Sequence, residues 1–170
     1  MKTPPQLDKG LLKAKRLIKS SEDIKVYSHR DCDGITAGAI ISTLLERLGK
    51  EHEIEFINLN QVEDIKIENE LTIFTDMGSG QQIEKITTSN SKIIILDHHP
   101  PLPRKNPKGQ LLELNPIKHG IDGSTQVSGG GMAYLLSKKF NHNDLSWMGV
   151  LSAVGDLQNS LTGKLTGLNA

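Results

Sequence analysis

The chain has 170 residues, of which 36% are hydrophobic and 24% are charged, and its 20 basic side chains balance its 20 acidic ones. This length fits one domain with a core of its own, and the charge balance does not indicate a polyanion partner. No apolar run reaches the roughly 18 residues of a membrane span, and the N-terminus has no signal-peptide core. The single cysteine, Cys32, excludes an internal disulfide and predicts a cytoplasmic protein.

Residues 1–22 are predicted to form a lead-in helix. Leucine, alanine and isoleucine recur at helical spacing over residues 7–20, and lysines occupy the opposite face. The lysines predict a solvated helix surface, with contact to phosphate as the alternative.

Three apolar runs of strand type are each followed by Asp or His side chains, which can bind metal ions or protons. They are residues 24–28 before the loop 29–34, residues 71–75 before Asp76, and residues 92–96 before Asp97, His98 and His99. Helices are predicted near residues 35–48 and 82–88, and further strands near residues 54–59 and 111–114. The alternation predicts the α/β fold class, a doubly wound, mainly parallel sheet with helices on both faces.

The carboxyl ends of parallel strands meet in one crevice, so these Asp and His side chains are expected to converge. Carboxylates that lie close together repel one another, and a bound divalent cation offsets the repulsion. Asp31 and Asp33 supply hard oxygen ligands, which suit Mg²⁺ or Mn²⁺ better than the soft metals that Cys32 would favour. The ligands exceed the needs of one ion and favour two. Each residue alone also fits a turn, capping or surface role.

The second half of the chain adds candidate site segments. Residues 100–108 are rich in proline and predict a loop beside the ligands, where Arg104 and Lys105 are candidate contacts for substrate phosphate. Ser124 or Thr125 is predicted to cap a helix that continues to about residue 140. Glycines 129–131 match no nucleotide-binding spacing, so close backbone packing is favoured over a phosphate cradle. An apolar helix over residues 145–157 carries Asp156, an acid that needs a partner if it is buried.

These motifs together resemble the DHH phosphoesterases. The four segments that resemble family motifs are residues 28–34, Asp76, Asp97-His98-His99 and Gly155-Asp156. The Asn115-Pro116 pair and residues 128–134 are most similar to the N-terminal catalytic domain of archaeal RecJ-like single-strand exonucleases, the GINS-associated nucleases. On this resemblance, residues 1–170 form the catalytic domain, and the smaller C-terminal substrate-binding domain of the family has no counterpart in this chain.

The resemblance implies a two-metal phosphodiester hydrolase, an exonuclease on single-stranded DNA or RNA that uses a hydroxide activated by two Mn²⁺ or Mg²⁺ ions. The implied metal ligands are His29, Asp31, Asp33, Asp76, His98 and Asp156. Asp76 would bridge both ions, and Asp156 would join the ion held by His29. The implied catalytic group is His99, Asp97 and Asp76, with His99 on the scissile phosphate and Asp97 orienting neighbouring ligands.

Two other functions stay open. One is a small-substrate phosphoesterase that cleaves short oligonucleotides, cyclic dinucleotides or pyrophosphate. The other is a replication-complex scaffold that binds the archaeal GINS complex. The complete set of implied ligands favours an enzyme, and the aromatic content of 4% argues against a long base-stacking platform.

Overall fold

The computed structural model describes all 170 residues and contains one five-stranded sheet in the order β2-β1-β3-β4-β5. All neighbouring strands are parallel. The strands are β1 (Ile24–His29), β2 (His52–Ile57), β3 (Leu71–Thr75), β4 (Lys92–Leu96) and β5 (Gln110–Leu114). The predicted α/β fold class with a parallel sheet is therefore confirmed.

Four α-helices accompany the sheet. They are α1 (Pro5–Ser20), α2 (Cys32–Arg47), α3 (Gly129–Lys138) and α4 (Ser146–Gly155). The cap of α3 differs from the prediction, because the Ser128 hydroxyl accepts the N–H of Gly131 whereas the hydroxyls of Ser124 and Thr125 donate to Asp122. None of the helices combines the length and the apolarity needed to cross a bilayer.

The central strands β3 and β4 bury both of their faces, which explains why they read as continuous apolar runs. On β4, Ile94 and Leu96 enter a core of 24 residues with α1, α2 and α3. Ile93 and Ile95 enter a second cluster of eight residues on the opposite face. Helix α4 packs outside α2 and α3. The α-helices therefore cover one face, and short 3₁₀ helices (Leu59–Asp64 and Ile83–Lys85) carry the apolar cover of the other.

The prediction of a helix over residues 82–88 is wrong, because only one 3₁₀ turn forms there. Ile83 and Ile86 are buried in the second cluster, so the segment is held by packing. Further along, the Thr88 N–H donates to the Ser91 hydroxyl at 2.8 Å. Such side-chain bonds compete with the helical hydrogen-bond ladder and favour a turn.

The strand order places a crevice between the carboxyl ends of β1 and β3. The chain passes from β1 through α2 to β2 on one side, and from β3 to β4 and β5 on the other. In open sheets with this order, the point where the direction reverses is where ligands bind. His29 ends β1 and Asp76 follows β3 directly, so both lie at this point.

Candidate metal centre

The loop after β1 holds His29 and Asp31 together. One carboxylate oxygen of Asp31 accepts the Gly34 N–H at 2.8 Å and caps α2, while the other lies 2.8 Å from Nδ1 of His29. A Cβ at residue 34 would lie 2.2 Å from the His29 carbonyl oxygen. The glycine is therefore required for a loop tight enough to bring these two side chains together.

Asp33 is buried and is held by the N-terminus of α3. The N–H groups of Gly129 and Gly130 donate to its two oxygens at 2.8 Å each, and the Ser152 hydroxyl also donates to it. Burial raises the pKa of Asp33, but its bonds to His98, Ser152 and Gly130 outweigh burial and lower it. His98 is thus the main partner that keeps this carboxylate charged, and the helix N-terminus holds it in place.

The glycine run at the start of α3 allows this close approach. A Cβ on Gly129 would lie 2.6 Å from Oδ1 of Asp76, and one on Gly130 would lie 2.4 Å from Oγ of Ser152. Both distances are too short for non-bonded atoms, so neither position accepts a side chain without movement. The predicted close packing of backbone is confirmed at these two positions.

Asp76 is fully buried at the centre of the site. Its backbone has φ of 58°, a left-handed conformation that costs energy in most residues and often occurs at functional sites. Its Oδ1 lies 3.0 Å from Nε2 of His98, and its Oδ2 lies 3.5 Å from Nδ1 of His29. Burial raises the pKa of Asp76 to about 6.

Asp97 organises the turn that presents the two histidines. One of its oxygens accepts the N–H groups of His98 and His99 at 2.7 and 3.1 Å and the ring Nδ1–H of His99 at 2.8 Å. The other oxygen accepts the Ser79 N–H at 2.8 Å. His98 donates from Nδ1 to the Gly123 carbonyl at 2.6 Å, which leaves Nε2 facing the carboxylates.

The structure brings these side chains into three overlapping groups, each with ligand atoms within 4.8 Å of one another. The groups are His29, Asp31 and Asp76; Asp33, His98 and Asp156; and Asp76, His98 and His99. Asp76 lies in two groups, and its two carboxylate oxygens lie near His29 and near His98, which is the placement expected of a bridging residue. Asp156 lies 3.9 Å from His98 and is grouped with Asp33, so its predicted association with His29 is wrong.

Two buried atoms at the centre of the site indicate whether these residues could bind a cation. Nδ1 of His29 and Oδ2 of Asp76 are both buried and lie 3.5 Å apart, and neither forms a hydrogen bond of acceptable geometry, although Oδ2 of Asp31 lies 2.8 Å from Nδ1. Leaving polar atoms unpaired inside a protein is costly, and a divalent cation would satisfy both. The carboxylates suit Mn²⁺ or Mg²⁺, and the imidazoles suit transition-metal ions. The residues present therefore fit a metal centre.

Comparison with known families identifies this arrangement. The model of the DHH family N-terminal domain matches residues 23–154, which include every strand and nearly all of α4. The chain belongs to the DHH family. Membership of this family supports metal-dependent phosphoesterase chemistry, which agrees with the metal centre at the strand ends.

Relatives of this DHH domain are longer than the chain itself. This chain is 38% identical over 154 residues to an uncharacterized protein of Methanocaldococcus jannaschii, and the match covers 86% of this chain and 35% of that protein. RecJ from Thermus thermophilus, in complex with Mn²⁺, matches with TM-score 0.69 and 22% identity over 97% of this chain and 25% of RecJ. CDC45 from Entamoeba histolytica matches with TM-score 0.62 and 17% identity over 94% of this chain and 35% of CDC45. The two solved structures show a shared fold.

A cavity of about 310 Å³ opens beside the DHH triplet. It is lined by His98, His99, Pro100, Ile117, Asp122, Gly123, Ser124 and Asp156. The His99 side chain is 41% exposed, whereas those of Asp76 and His98 are 1% and 4% exposed. A substrate that entered this cavity would therefore meet His99 before it met the buried ligands.

The structure does not bring Arg104 into this cavity. Its guanidinium donates to both oxygens of Glu113 at 3.1 Å and to the carbonyls of Gln81, Gly78 and Ser79. Arg104 therefore braces the turn that supports Asp97, instead of facing this cavity as its predicted phosphate contact requires. Lys105 is exposed beside a different cavity, with Gln82, Glu84, Leu102 and Pro103.

Sequence reasoning missed several residues that support the ligands. Ser128 and Ser152 bond to each other at 2.7 Å and surround Asp33, and Gln158 donates to Asp156 at 2.8 Å. A serine before three glycines is a recognisable helix-cap signal. No comparable signal marks Ser152 or Gln158, because their roles depend on contacts between distant segments.

Proposed function

We propose that this DHH domain is a two-metal phosphodiester hydrolase that removes nucleotides from single-stranded DNA or RNA. The observation that carries the proposal is the buried pair of atoms on Asp76 and His29 that form no well-aligned hydrogen bond, within a ring of acids and imidazoles. Family membership supports the reaction class. Likeness in fold to an exonuclease, RecJ, supports a polynucleotide substrate.

The metal positions follow from the groups of side chains. We assign one Mn²⁺ to His29, Asp31 and Asp76, and the other to Asp33, His98 and Asp156. Asp76 would also serve the second ion, because its Oδ1 lies 3.0 Å from Nε2 of His98. Mg²⁺ is the alternative ion. When bound, two such cations supply an acidic water and neutralise charge on the phosphoryl oxygens.

His99 is the protein group that we place against the scissile phosphate. The Asp97 carboxylate bonds to its Nδ1 and raises the pKa of His99, so the imidazolium is favoured. A charged imidazole at the mouth of the cavity stabilises phosphoryl charge and donates a proton to the departing oxygen. Asp97 is buried and saturated by hydrogen bonds, so it orients His99 without contacting substrate.

A length series tests the substrate. We expect Mn²⁺-dependent release of mononucleotides from labelled single strands, with little turnover of pyrophosphate or a cyclic dinucleotide. Because the Arg104 guanidinium bonds to Glu113 and does not extend the binding surface beside the cavity, we expect the rate to level off after a few nucleotides. Cleavage of pyrophosphate or dinucleotides alone would contradict the exonuclease and favour the small-substrate alternative. The archaeal GINS complex stays a predicted partner, which a pull-down with the purified domain would test.

Metal binding is expected to release protons and to tighten as the pH rises. Burial lowers the pKa of His98, but bonds to Asp33 and Asp76 outweigh burial and raise it to about 11, so the ring is charged at neutral pH. A metal ligand must be neutral, so its proton has to leave. We expect Mn²⁺ affinity to rise about tenfold per pH unit between about pH 7 and 9 for each proton released, and to fall further below the pKa of Asp76.

Calorimetric titrations with Mn²⁺ in buffers of different ionisation enthalpy measure these protons. Release of about one proton or more per protein at neutral pH is the expected result. An affinity that did not change with pH, without proton release, would contradict the release of a proton from His98 on metal binding.

A further inference from the structure

Gln158 contacts one proposed metal ligand, Asp156, and the backbone carbonyl that holds another, His98. Its side chain is buried, and its amide nitrogen donates to Oδ2 of Asp156 and to the Gly123 carbonyl, both at 2.8 Å. The same Gly123 carbonyl accepts the Nδ1–H of His98 at 2.6 Å. The orientation of this one amide therefore affects both Asp156 and His98.

Asn169 fixes which end of the Gln158 amide faces Asp156. Its Nδ2 donates to Oε1 of Gln158 at 2.6 Å, so the nitrogen of that amide points towards the carboxylate. If the amide rotated by half a turn, its oxygen would face the Asp156 carboxylate and repel it. The Asn169 contact makes the rotated orientation unfavourable.

Asn169 also reaches the support of Asp33. Its Oδ1 accepts the N–H of Ser128 at 3.2 Å, and Ser128 caps the helix whose first N–H groups hold Asp33. One side chain thus joins the supports of Asp33 and Asp156. These two acids and His98 form one of the groups to which we assign a metal ion.

The other metal position has separate supports. His29 and Asp31 are held by the loop between β1 and α2, and Asp76 by the end of β3, where its N–H donates to the Leu96 carbonyl at 2.8 Å. Neither Gln158 nor Asn169 makes a hydrogen bond to these three residues. The two positions therefore differ in their dependence on this pair.

We propose that Gln158 and Asn169 are positioning residues that set the metal affinity of the Asp33–His98–Asp156 position and leave the His29–Asp31–Asp76 position unchanged. This inference rests on the proposed two-metal function. Residues that orient metal ligands typically change metal affinity by about 10 to 100-fold when they are replaced.

The test is Mn²⁺ binding by calorimetry and by electron paramagnetic resonance, with Asn169→Ala and Gln158→Glu against wild type. Asn159→Ala is the matched control, because that neighbouring side chain makes no hydrogen bond to the site. We expect wild type to bind two ions. In each variant one affinity should fall about 10 to 100-fold, while the other should stay within about twofold.

Asn169→Asp provides a second measurement if Asn169→Ala does not fold. It keeps an oxygen for the Ser128 N–H but loses the donor to Gln158, so it should also weaken one position only. Equal losses at both positions, or no loss at either, would overturn the inference. Absence of Mn²⁺ binding by the folded wild-type protein would instead overturn the proposed function itself.

Discussion

Asp76→Asn is expected to lower Mn²⁺-dependent phosphodiester hydrolysis by about 10³-fold or more, equivalent to about 4 kcal/mol of transition-state stabilisation. Asp76 belongs to the group with His29 and Asp31, and its Oδ1 lies 3.0 Å from Nε2 of His98 in the other assigned group, so its replacement should weaken both metal positions. Asparagine has nearly the same shape and tolerates the φ of 58° at this position. The fold should therefore survive, and the loss should be chemical. Initial rates on a labelled single strand, with Mn²⁺ titrations in parallel, measure it.

Asp64→Asn is the control for this substitution. Asp64 is exposed at the end of a 3₁₀ helix, so its replacement removes the same charge without touching a ligand group. This variant should keep activity within about twofold, since surface substitutions have small effects. Wild-type turnover by a folded Asp76→Asn variant would contradict the two-metal scheme.

Gly129→Ala is expected to destabilise the protein by about 1 to 3 kcal/mol, the usual cost of overpacking a rigid interior. The new methyl group would lie 2.6 Å from Oδ1 and 2.7 Å from Cβ of Asp76. Asp76 is fully buried and cannot move away without disturbing His98. Mn²⁺ affinity should therefore fall together with the free energy of unfolding, which denaturant titration measures.

Gly149→Ala adds the same methyl group to a helix without this clash. Its Cβ would lie 3.4 Å from the nearest side-chain atom, Cβ of Tyr134, which is an ordinary contact. Alanine is favoured over glycine inside a helix by up to about 1 kcal/mol, so this variant should be as stable as wild type or more stable. Equal stability of the two alanine variants would show that the tight contact with Asp76 is not important.

The ligands can be predicted from sequence because they follow strands directly. Apolar runs that end in Asp or His indicate both the sheet and its carboxyl edge, so His29, Asp76 and His98 are expected to meet. The convergence of these residues is present in the structure. The grouping of Asp156 is not predictable in this way, because it depends on the angle at which α4 packs against α2 and α3.

Other features depend on contacts that local sequence does not encode. Arginine is a residue type that often contacts phosphate, but the hydrogen bonds of Arg104 to Glu113 and to three carbonyls give it a structural role. The segment over residues 82–88 has helical composition, but burial of Ile83 and Ile86 and the turn at Thr88 limit it to one 3₁₀ turn. In each case, partners distant in sequence determine the role of the residue.

Anomalous diffraction from crystals soaked in Mn²⁺ tests most directly whether these residues hold two metal ions. The expected result is two peaks about 3.5 to 4 Å apart, both contacting Asp76. One peak should lie by His29 and Asp31, and the other by Asp33, His98 and Asp156. No peak at saturating Mn²⁺, or peaks only outside these groups, would contradict the metal centre and the hydrolase built on it.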